Sequence, residues 1–230
     1  MPLSGLNSFK FNTPKDLLID SNSSINTVIM SFLSIDCSTD IGSLFVKAKN
    51  KTFSQVLQSD KLSNDLLMKQ ILDFFEKNNI KFDDISNIFV NQGPGNFSGL
   101  RGSLATAKGI SLAKNLNLFG YNTFIWSCAN FFNKKDSIFS LIKFREKYFF
   151  KKFDKNLNST SKIEEVTVDE IIKKCDNKFN VIPRNVIKYF DKKILKLNNL
   201  NIVDLDHNKL EFLQLNGLLD EELIKPLYLS

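Results

Sequence analysis

A glycine-rich turn followed by a helical pattern is the part of this sequence best suited to chemistry. The stretch VNQGPGNFSGLRGSLATAKGISLAKNL, residues 90–116, holds five of the nine glycines in the chain. A helix N-terminus offers free backbone N–H groups and a partial positive charge, and glycines let an anion approach closely. Gly93, Gly95 and Ser98 are therefore candidate phosphate-binding residues. Their spacing matches neither G-x-x-x-x-G-K-[ST] nor G-x-G-x-x-G, in which Ser98 would have to be the third glycine.

Packing explains the same residues without a ligand, and the residues alone favour it. Gly93 and Gly95 would supply unusual backbone angles around Pro94, and Ser98 would cap the helix. Small residues would also let another helix come close, from this chain or from a partner. They are Gly102, Ala105, Ala107, Gly109 and Ala113.

The chain has few cysteine and histidine residues that could support thiol or imidazole chemistry. Cys37, Cys128 and Cys175 are odd in number and far apart, which argues against a disulfide framework and favours a reducing compartment. Together with the single histidine, His207, they do not have the spacing of a zinc site. The sequence predicts three small core cysteines, no bound metal and no cofactor.

The charge permits an acidic partner but does not demand one. The net charge is +6 and the pI about 9.1. A basic protein of this kind is compatible with an acidic partner such as RNA. Only three of the 31 basic residues are arginine, so a compositional bias and an ordinary solvated surface are the favoured interpretation. The chain has no run of about 18 apolar residues and no secretory signal pattern, so we expect a cytoplasmic protein without a membrane anchor.

Alternating and helical hydrophobic patterns predict an α/β protein of two lobes. Residues 1–29 form an N-terminal extension, flexible or produced by a misplaced start codon, and the lobes span residues 30–130 and 131–230. In the first lobe we predict a hairpin from Ser31 onward, an amphipathic helix from Leu62 to Phe75, and a strand from Ile88 to Val90. The helix after the glycine turn and a strand from Leu118 to Tyr121 follow. In the second lobe DSIFSLIKFREKYFFKKFD predicts a hairpin, TVDEIIKKC a short helix and FNVIPRN a strand.

The phrase GPGNFSGLR, residues 93–101, resembles the G-x-G-P-G-S-[FY]-T-G-[LV]-R signature of the glycoprotease-like family, and most closely its TsaB (YeaZ) branch. FLSIDCST resembles the opening strand of that family, GISLAKNLNLFGYNTF a later segment, and KPLYLS its closing motif. The resemblance implies the actin-like ATPase fold shared with Hsp70, a ribonuclease H-like fold with two lobes, of which the second is divergent here.

The resemblance implies a non-catalytic subunit in the synthesis of N6-threonylcarbamoyladenosine at position 37 of tRNA. The implied partners are a TsaD-like catalyst, a TsaE-like ATPase and a second copy of the chain, with tRNA contacted indirectly through the complex.

Catalytic relatives carry a histidine pair in the helix before the glycine turn, whereas SDKLSNDLLMKQ has none. Lys143 replaces an acid of the second lobe, and Pro183-Arg184-Asn185 replaces a G-x-G turn. Asp36 alone matches an acid of the family's first nucleotide hairpin. Asp36, Gly93, Gly95 and Ser98 could therefore form a vestigial nucleotide site, and the alternative for Asp36 is a purely structural role in a turn.

The two helices flanking the glycine turn are the family's surface for self-association and for TsaD. The resemblance places a partner interface on Leu62, Leu66, Ile71, Phe97, Leu100, Arg101, Gly102, Leu104, Ala105 and Lys108. We expect Arg101 to meet a carboxylate or to serve this interface, and Phe97 to be an anchor under the turn or simple core.

The alternative function is a stand-alone ATP-dependent transferase or a peptidase. Direct tRNA binding by the lysine-rich second lobe is a third hypothesis, with steep salt dependence as its test.

Overall fold

The structure is a computed structural model that describes residues 30–57 and 64–229. The predicted extension over residues 1–29 and the interface position Leu62 lie outside the described residues.

The first sheet contains five strands in the order β3-β2-β1-β4-β5. Its strands are β1 (Phe32–Asp36), β2 (Gly42–Ala48), β3 (Lys51–Leu57), β4 (Asn87–Asn91) and β5 (Asn117–Tyr121). β1 and β2 form the predicted antiparallel hairpin, while β4 runs parallel to both β1 and β5. The predicted strands at residues 88–90 and 118–121 are confirmed. β3 was not predicted, because this edge strand is mostly solvent-facing and lacks an apolar run.

The second sheet repeats this plan. Its strands are β6 (Ser137–Phe144), β7 (Lys147–Asp154), β8 (Glu164–Val166), β9 (Asn180–Pro183) and β10 (Leu200–Val203), in the order β10-β9-β6-β7-β8. The first three strands pair antiparallel, and β9 runs parallel to β6 and β10. Read from the opposite edge, this is the strand order of the first sheet. The sequence prediction that the second lobe contains a hairpin, a helix and a strand is confirmed.

Within residues 30–57 and 64–229, five α-helices cover the sheets, and their ends follow from local sequence. They are α1 (Asn64–Lys77), α2 (Phe97–Lys114), α3 (Thr123–Cys128), α4 (Val168–Cys175) and α5 (Asn208–Leu215). α2 ends at Asn115, which adopts φ 52° in the left-handed region. α4, the predicted short helix, begins with a capping box in which Thr167 and Glu170 satisfy each other's backbone N–H groups.

Three apolar clusters hold the molecule together. One packs the inner faces of α1 and α2 on the first sheet, through residues such as Ile71 and Leu104. Another packs α4 on the second sheet. The third joins the two lobes, since it contains side chains of both sheets together with α5 and the wholly buried α3. The three cysteines are free and buried, which confirms that they are small core residues.

Candidate functional site

The glycine turn lies at the carboxyl end of the parallel strands β1 and β4, and Asn91 organises it. The buried Asn91 Nδ2 donates to Asp36 Oδ1 at 3.1 Å and to Thr123 Oγ1 at 3.2 Å. Its Oδ1 accepts from the N–H of Gly93 at 2.8 Å. Asn91 thus joins the end of β1, the glycine turn and the start of α3. Sequence reasoning missed it, although a polar residue that ends the buried run IFV is a usable signal.

Asp36 is committed to the same network. It is buried at the end of β1, and its Oδ1 accepts from the backbone N–H of Ser38 at 2.9 Å. Burial raises the pKa of this carboxyl, while hydrogen bonds from Ser38 and Asn91 oppose the rise. Both donors hold Asp36 in the interior, where it fixes the turn between β1 and β2.

The space beside the glycines is filled by the chain's own backbone. A Cβ atom on Gly95 would lie 2.0 Å from the carbonyl oxygen of Ser38, and one on Gly99 would lie 2.3 Å from the carbonyl oxygen of Cys37. The N–H of Asn96 donates to the Ser38 carbonyl at 2.8 Å. The carbonyl oxygens of Ser38 and Cys37 thus pack closely against Gly95 and Gly99, so both glycines are needed for this internal packing.

The cap of α2 differs from the prediction. Asn96, not Ser98, is the N-cap, because its Oδ1 accepts from the backbone N–H of Ser98 at 3.2 Å and from the Ser98 hydroxyl at 3.0 Å. Gly93 does adopt the unusual backbone angle expected of it, with φ 111°. Its neighbours within 3.2 Å of an added Cβ include the carbonyl oxygen of Leu227.

A closing segment, residues 218–229, returns to the first lobe and covers the turn. The N–H of Leu227 donates to the Gln92 carbonyl at 2.6 Å, and Gln92 Nε2 donates to the Lys225 carbonyl at 3.1 Å. Asp220 pairs with Gly120 at the end of β5 through two backbone hydrogen bonds. The segment thus closes the side of the turn opposite the β1–β2 loop.

Phe97 lies on the surface rather than in the roles predicted for it, and the structure contradicts one of the roles predicted for Arg101, a carboxylate partner. Phe97 is 49% exposed, so it is neither an anchor under the turn nor core. Its ring stacks on Tyr228 with centroids 5.2 Å apart, and the Arg101 guanidinium lies 4.0 Å from the Phe97 centroid. Arg101 Nε donates to the Tyr228 hydroxyl. The expected carboxylate partner is therefore wrong, because an aromatic pair and a phenol occupy that position.

The predicted interface residues separate into core and surface. Ile71, Leu100, Gly102 and Leu104 are buried within the chain, where α1 and α2 face the sheet. The exposed members are Leu66, Phe97, Arg101, Ala105 and Lys108. Sequence reasoning missed the exposed Leu72 and Leu112, because a solvent-facing leucine is not distinguished from a core leucine by composition.

One surface combines the outward faces of both helices. We call it the helix-pair surface and define it by Leu66 and Leu72 on α1 and by Ala105, Lys108 and Leu112 on α2. The three α2 positions are spaced by three and four residues, so they lie on one helix face. Leu112 is 85% exposed. Gly109, beside them, has no atom within 4 Å of an added Cβ, so the helix backbone is open to close approach here.

The second lobe has no glycine turn at the equivalent place. β9 runs through Pro183 into a 3₁₀ helix, Arg184–Tyr189, in the position that the glycine turn and α2 occupy after β4. Arg184 Nε contacts Asp204 Oδ1 at 2.7 Å. Lys143 lies on β6 and pairs with Glu146 at 3.3 Å. The residues that replace the family's acid and glycines are therefore engaged with neighbouring carboxylates.

Across residues 30–57 and 64–229, no group of three or more His, Cys, Asp and Glu side chains could hold a metal ion. Within the same ranges, no helix has the length and apolarity that crossing a membrane would require.

Comparisons with known proteins agree with the signature. The family model described as TsaD, tRNA N6-adenosine threonylcarbamoyltransferase, matches residues 54–142. The tRNA threonylcarbamoyladenosine biosynthesis protein TsaB of Buchnera aphidicola subsp. Baizongia pistaciae is 33% identical over 91 residues, which are 39% of this chain and 40% of that protein. The aligned part thus spans less than half of the curated relative.

Solved structures extend the likeness to both lobes. YeaZ from Pseudomonas aeruginosa superposes with a TM-score of 0.63 at 14% identity, over 87% of this chain and 100% of that chain. A protein described as similar to peptidase YeaZ, also from Pseudomonas aeruginosa, gives 0.66 at 15% identity, over 88% and 100%. The fold is therefore the predicted α/β, actin-like ATPase fold. Together with the family signature, these matches show a likeness to the glycoprotease-like TsaB (YeaZ) family in part of the sequence and in the fold of both lobes.

Proposed function

We propose that this chain is a non-catalytic subunit that binds and supports a TsaD-like enzyme in the synthesis of N6-threonylcarbamoyladenosine at position 37 of tRNA. The observation that carries the proposal is the close contact of Gly95 with the Ser38 carbonyl, by which the glycine turn serves the packing of the chain itself. The turn keeps the family's shape and uses it for internal packing. The helices on either side of it remain free to present a binding surface.

The helix-pair surface has the properties of a protein interface. Its leucines supply apolar surface that a partner would remove from water. Full burial of one leucine side chain stabilises a complex by about 1.5–3 kcal/mol. Leu72, 46% exposed, and Leu112 supply this area on neighbouring helices that pack against each other. Ala105 and Gly109 add no bulk, so a partner helix could approach the backbone of α2 closely.

The partner in this proposal is a helix pair of the TsaD-like subunit, and a second copy of the chain uses the same surface when that subunit is absent. A TsaE-like ATPase joins the complex, which works in the cytoplasm. The alternative function, a stand-alone ATP-dependent transferase or peptidase, would need a reactive group that the chain itself provides. The buried Asp36 and the packed glycines do not offer it.

The test is co-purification of the full chain with the TsaD-like protein of the same organism. Ala105→Glu and Leu112→Glu place charge on the helix-pair surface, and Thr160→Glu, at an exposed site of the second lobe, is the matched control. We expect wild type and Thr160→Glu to form a stable complex and the other two variants to lose it, with unchanged circular dichroism. Gly102 is unsuitable for the charge because it is buried.

Two results would overturn the proposal. One is a wild-type chain that hydrolyses ATP or transfers a carbamoyl group without any TsaD-like protein. The other is a complex that tolerates glutamate at both positions 105 and 112, since two buried charges without partners would be too costly in a real interface.

A further inference from the structure

A short basic segment, residues 184–196, connects β9 to β10 on the second lobe. It contains two 3₁₀ helices, Arg184–Tyr189 and Ile194–Lys196. Three apolar side chains anchor it in the core of that lobe, namely Val186, Phe190 and Ile194. The side chains that point outward are Arg184, Lys188, Tyr189, Lys192, Lys193 and Lys196. The segment is thus a fixed part of the fold with a basic outer face.

The charge of the basic segment is concentrated and largely uncompensated. Five basic residues stand against one acid, Asp191, so residues 184–196 carry a net charge of +4 in a chain of +6. Asp191 Oδ1 accepts from the backbone N–H of Lys193 at 2.7 Å, which fixes the local turn. Among ion pairs formed between described residues, Arg184 has Asp204, whereas Lys188, Lys192, Lys193 and Lys196 have none.

Three other lysines of the second lobe, Lys143, Lys147 and Lys174, form ion pairs with described residues, so what distinguishes the basic segment is the density of its lysines rather than the lack of ion pairs. Lys147 on β7 pairs with Glu165 at 2.9 Å, and Lys174 on α4 pairs with Glu164 at 2.8 Å. A compositional bias toward lysine would raise the number of lysines everywhere. It does not by itself explain why four of them gather on one connection with a single acid.

Tyr189 gives the basic segment an aromatic surface. Its side chain is 49% exposed, and the Nζ of Lys188 lies 4.8 Å from the ring centroid. An exposed aromatic ring among cations is the combination that binds unpaired nucleotides, because the ring stacks on a base while the cations contact phosphates.

We propose that the basic segment is an RNA-binding surface that contacts the phosphate backbone of tRNA directly. The proposal rests on the proposed function for the identity of the RNA, and it goes beyond that function, in which tRNA meets this chain only through the complex. Lysine-rich surfaces suit phosphates, whereas lysine is depleted at protein interfaces. A membrane surface is less well matched, because Tyr189 is the exposed large apolar side chain of the segment and one ring is a weak anchor.

The test is binding of the full chain to a fluorescently labelled tRNA transcript, followed by anisotropy across a salt series. The variant carries Lys188→Gln, Lys192→Gln, Lys193→Gln and Lys196→Gln. Four phosphate contacts predict that wild-type affinity falls about a hundredfold between about 50 mM and about 200 mM salt. We expect the variant to lose most of this salt dependence and to bind at least about tenfold more weakly at low salt.

The matched control removes the same charge elsewhere in the second lobe. It carries Lys155→Gln, Lys162→Gln, Lys173→Gln and Lys178→Gln, all at exposed positions. We expect it to keep the wild-type salt slope and nearly the wild-type affinity. Equal weakening of both variants would overturn the proposal, because the binding would then follow net charge rather than the basic segment.

Two more measurements complete the test. Tyr189→Leu keeps the apolar surface and removes the aromatic ring, and we expect it to weaken binding to an unpaired oligonucleotide about 5- to 100-fold. Wild-type binding to phosphatidylserine vesicles without binding to the transcript would overturn the RNA assignment. Complex formation with the TsaD-like protein is recorded for every variant, so loss of RNA binding with an intact complex separates failure of this site from failure of the proposed function.

Discussion

Arg101 and Tyr228 are 127 positions apart in the chain, and the Nε of Arg101 donates a 2.8 Å hydrogen bond to the Tyr228 hydroxyl. The Phe97 ring stacks against Tyr228 and lies under the guanidinium. This three-residue cluster fastens the closing segment to the first turn of α2. All three side chains are exposed, so the contribution of each contact is modest.

Tyr228→Ala should loosen the closing segment, and Tyr228→Phe should loosen it less. The alanine variant loses the stacking and the hydrogen bond, which together are worth about 1–2 kcal/mol, and the phenylalanine variant loses only the hydrogen bond, about 0.5–1 kcal/mol. Hydrogen exchange at the Leu227 amide, which donates to the Gln92 carbonyl, reports the difference. Equal protection in wild type and Tyr228→Ala would show that the cluster does not hold the segment.

Gly95→Ala should destabilise the fold severely. The added methyl group would lie 2.0 Å from the Ser38 carbonyl oxygen, and backbone must move to relieve the contact, at a cost of about 3 kcal/mol or more. Gly109→Ala is the matched control, because Gly109 lies in α2, the helix that follows the glycine turn. An added Cβ there has no atom within 4 Å, so the substitution should raise the free energy of unfolding by about 0.5–1 kcal/mol.

Urea unfolding of the two glycine variants gives the measurement. A Gly95→Ala protein as stable as wild type would mean that the β1–β2 turn does not fill this space. If it also lost binding of ATP, the glycine turn would be a phosphate site after all.

Asp36→Ala should cost about 1–3 kcal/mol of unfolding free energy, because it leaves the buried Ser38 N–H and the Asn91 amide without their acceptor. Asp36→Asn keeps an oxygen at the accepting position and should lose much less. Thermal unfolding of both variants distinguishes this role from a metal- or nucleotide-binding one. If the two substitutions were equally harmful, the negative charge rather than the acceptor would be what matters.

His207 should make stability fall in mild acid. Its ring lies between Phe45 and Trp126, with Nδ1 3.0 Å from the Ser34 hydroxyl and Nε2 3.2 Å from the Ser43 hydroxyl. Burial lowers the pKa of His207 to about 4, from an ordinary value of 6.5. The unfolded chain therefore binds the proton more readily than the folded chain.

The sign follows from that difference. His207 costs nothing above its unfolded pKa, and stability is lost as the pH falls from about 6.5 toward about 4, by about 2 kcal/mol between about pH 7 and about pH 5. Urea unfolding at these two pH values should show the loss in wild type and a smaller loss in His207→Gln. An equal pH dependence in the two proteins would assign the effect to other groups.

The elements of this fold were largely readable because their patterns are local. The amphipathic repeat around Ile71 predicted α1, and the glycine run before Ser98 predicted a turn into α2. β3 escaped because its edge position removes the apolar alternation that marks a strand. The repeated strand order of the two sheets could not be predicted, because pairing partners are not encoded in any one segment.

The candidate site was less predictable because its contacts are long-range. Asn91 becomes the centre of a network only when β1, β4 and α3 meet, and the partner of the Phe97 ring, Tyr228, comes from the far end of the second lobe. The cap of α2 was assigned to Ser98 rather than Asn96, two residues that both favour capping. Burial divides the predicted interface because helix periodicity does not say which apolar side chain faces the sheet.

The closing segment also sets the order in which the molecule can be finished. The Gln92 side chain has its hydrogen-bond acceptor, the Lys225 carbonyl, only 133 residues later in the chain. The apolar core beneath α1 and α2 is likewise complete only when Ile224 has been synthesised. A ribosome that adds about 5–20 residues per second leaves this gap open for on the order of 10 s. During that interval the nascent first lobe lacks the residues that pair with Gln92 and that complete its apolar core.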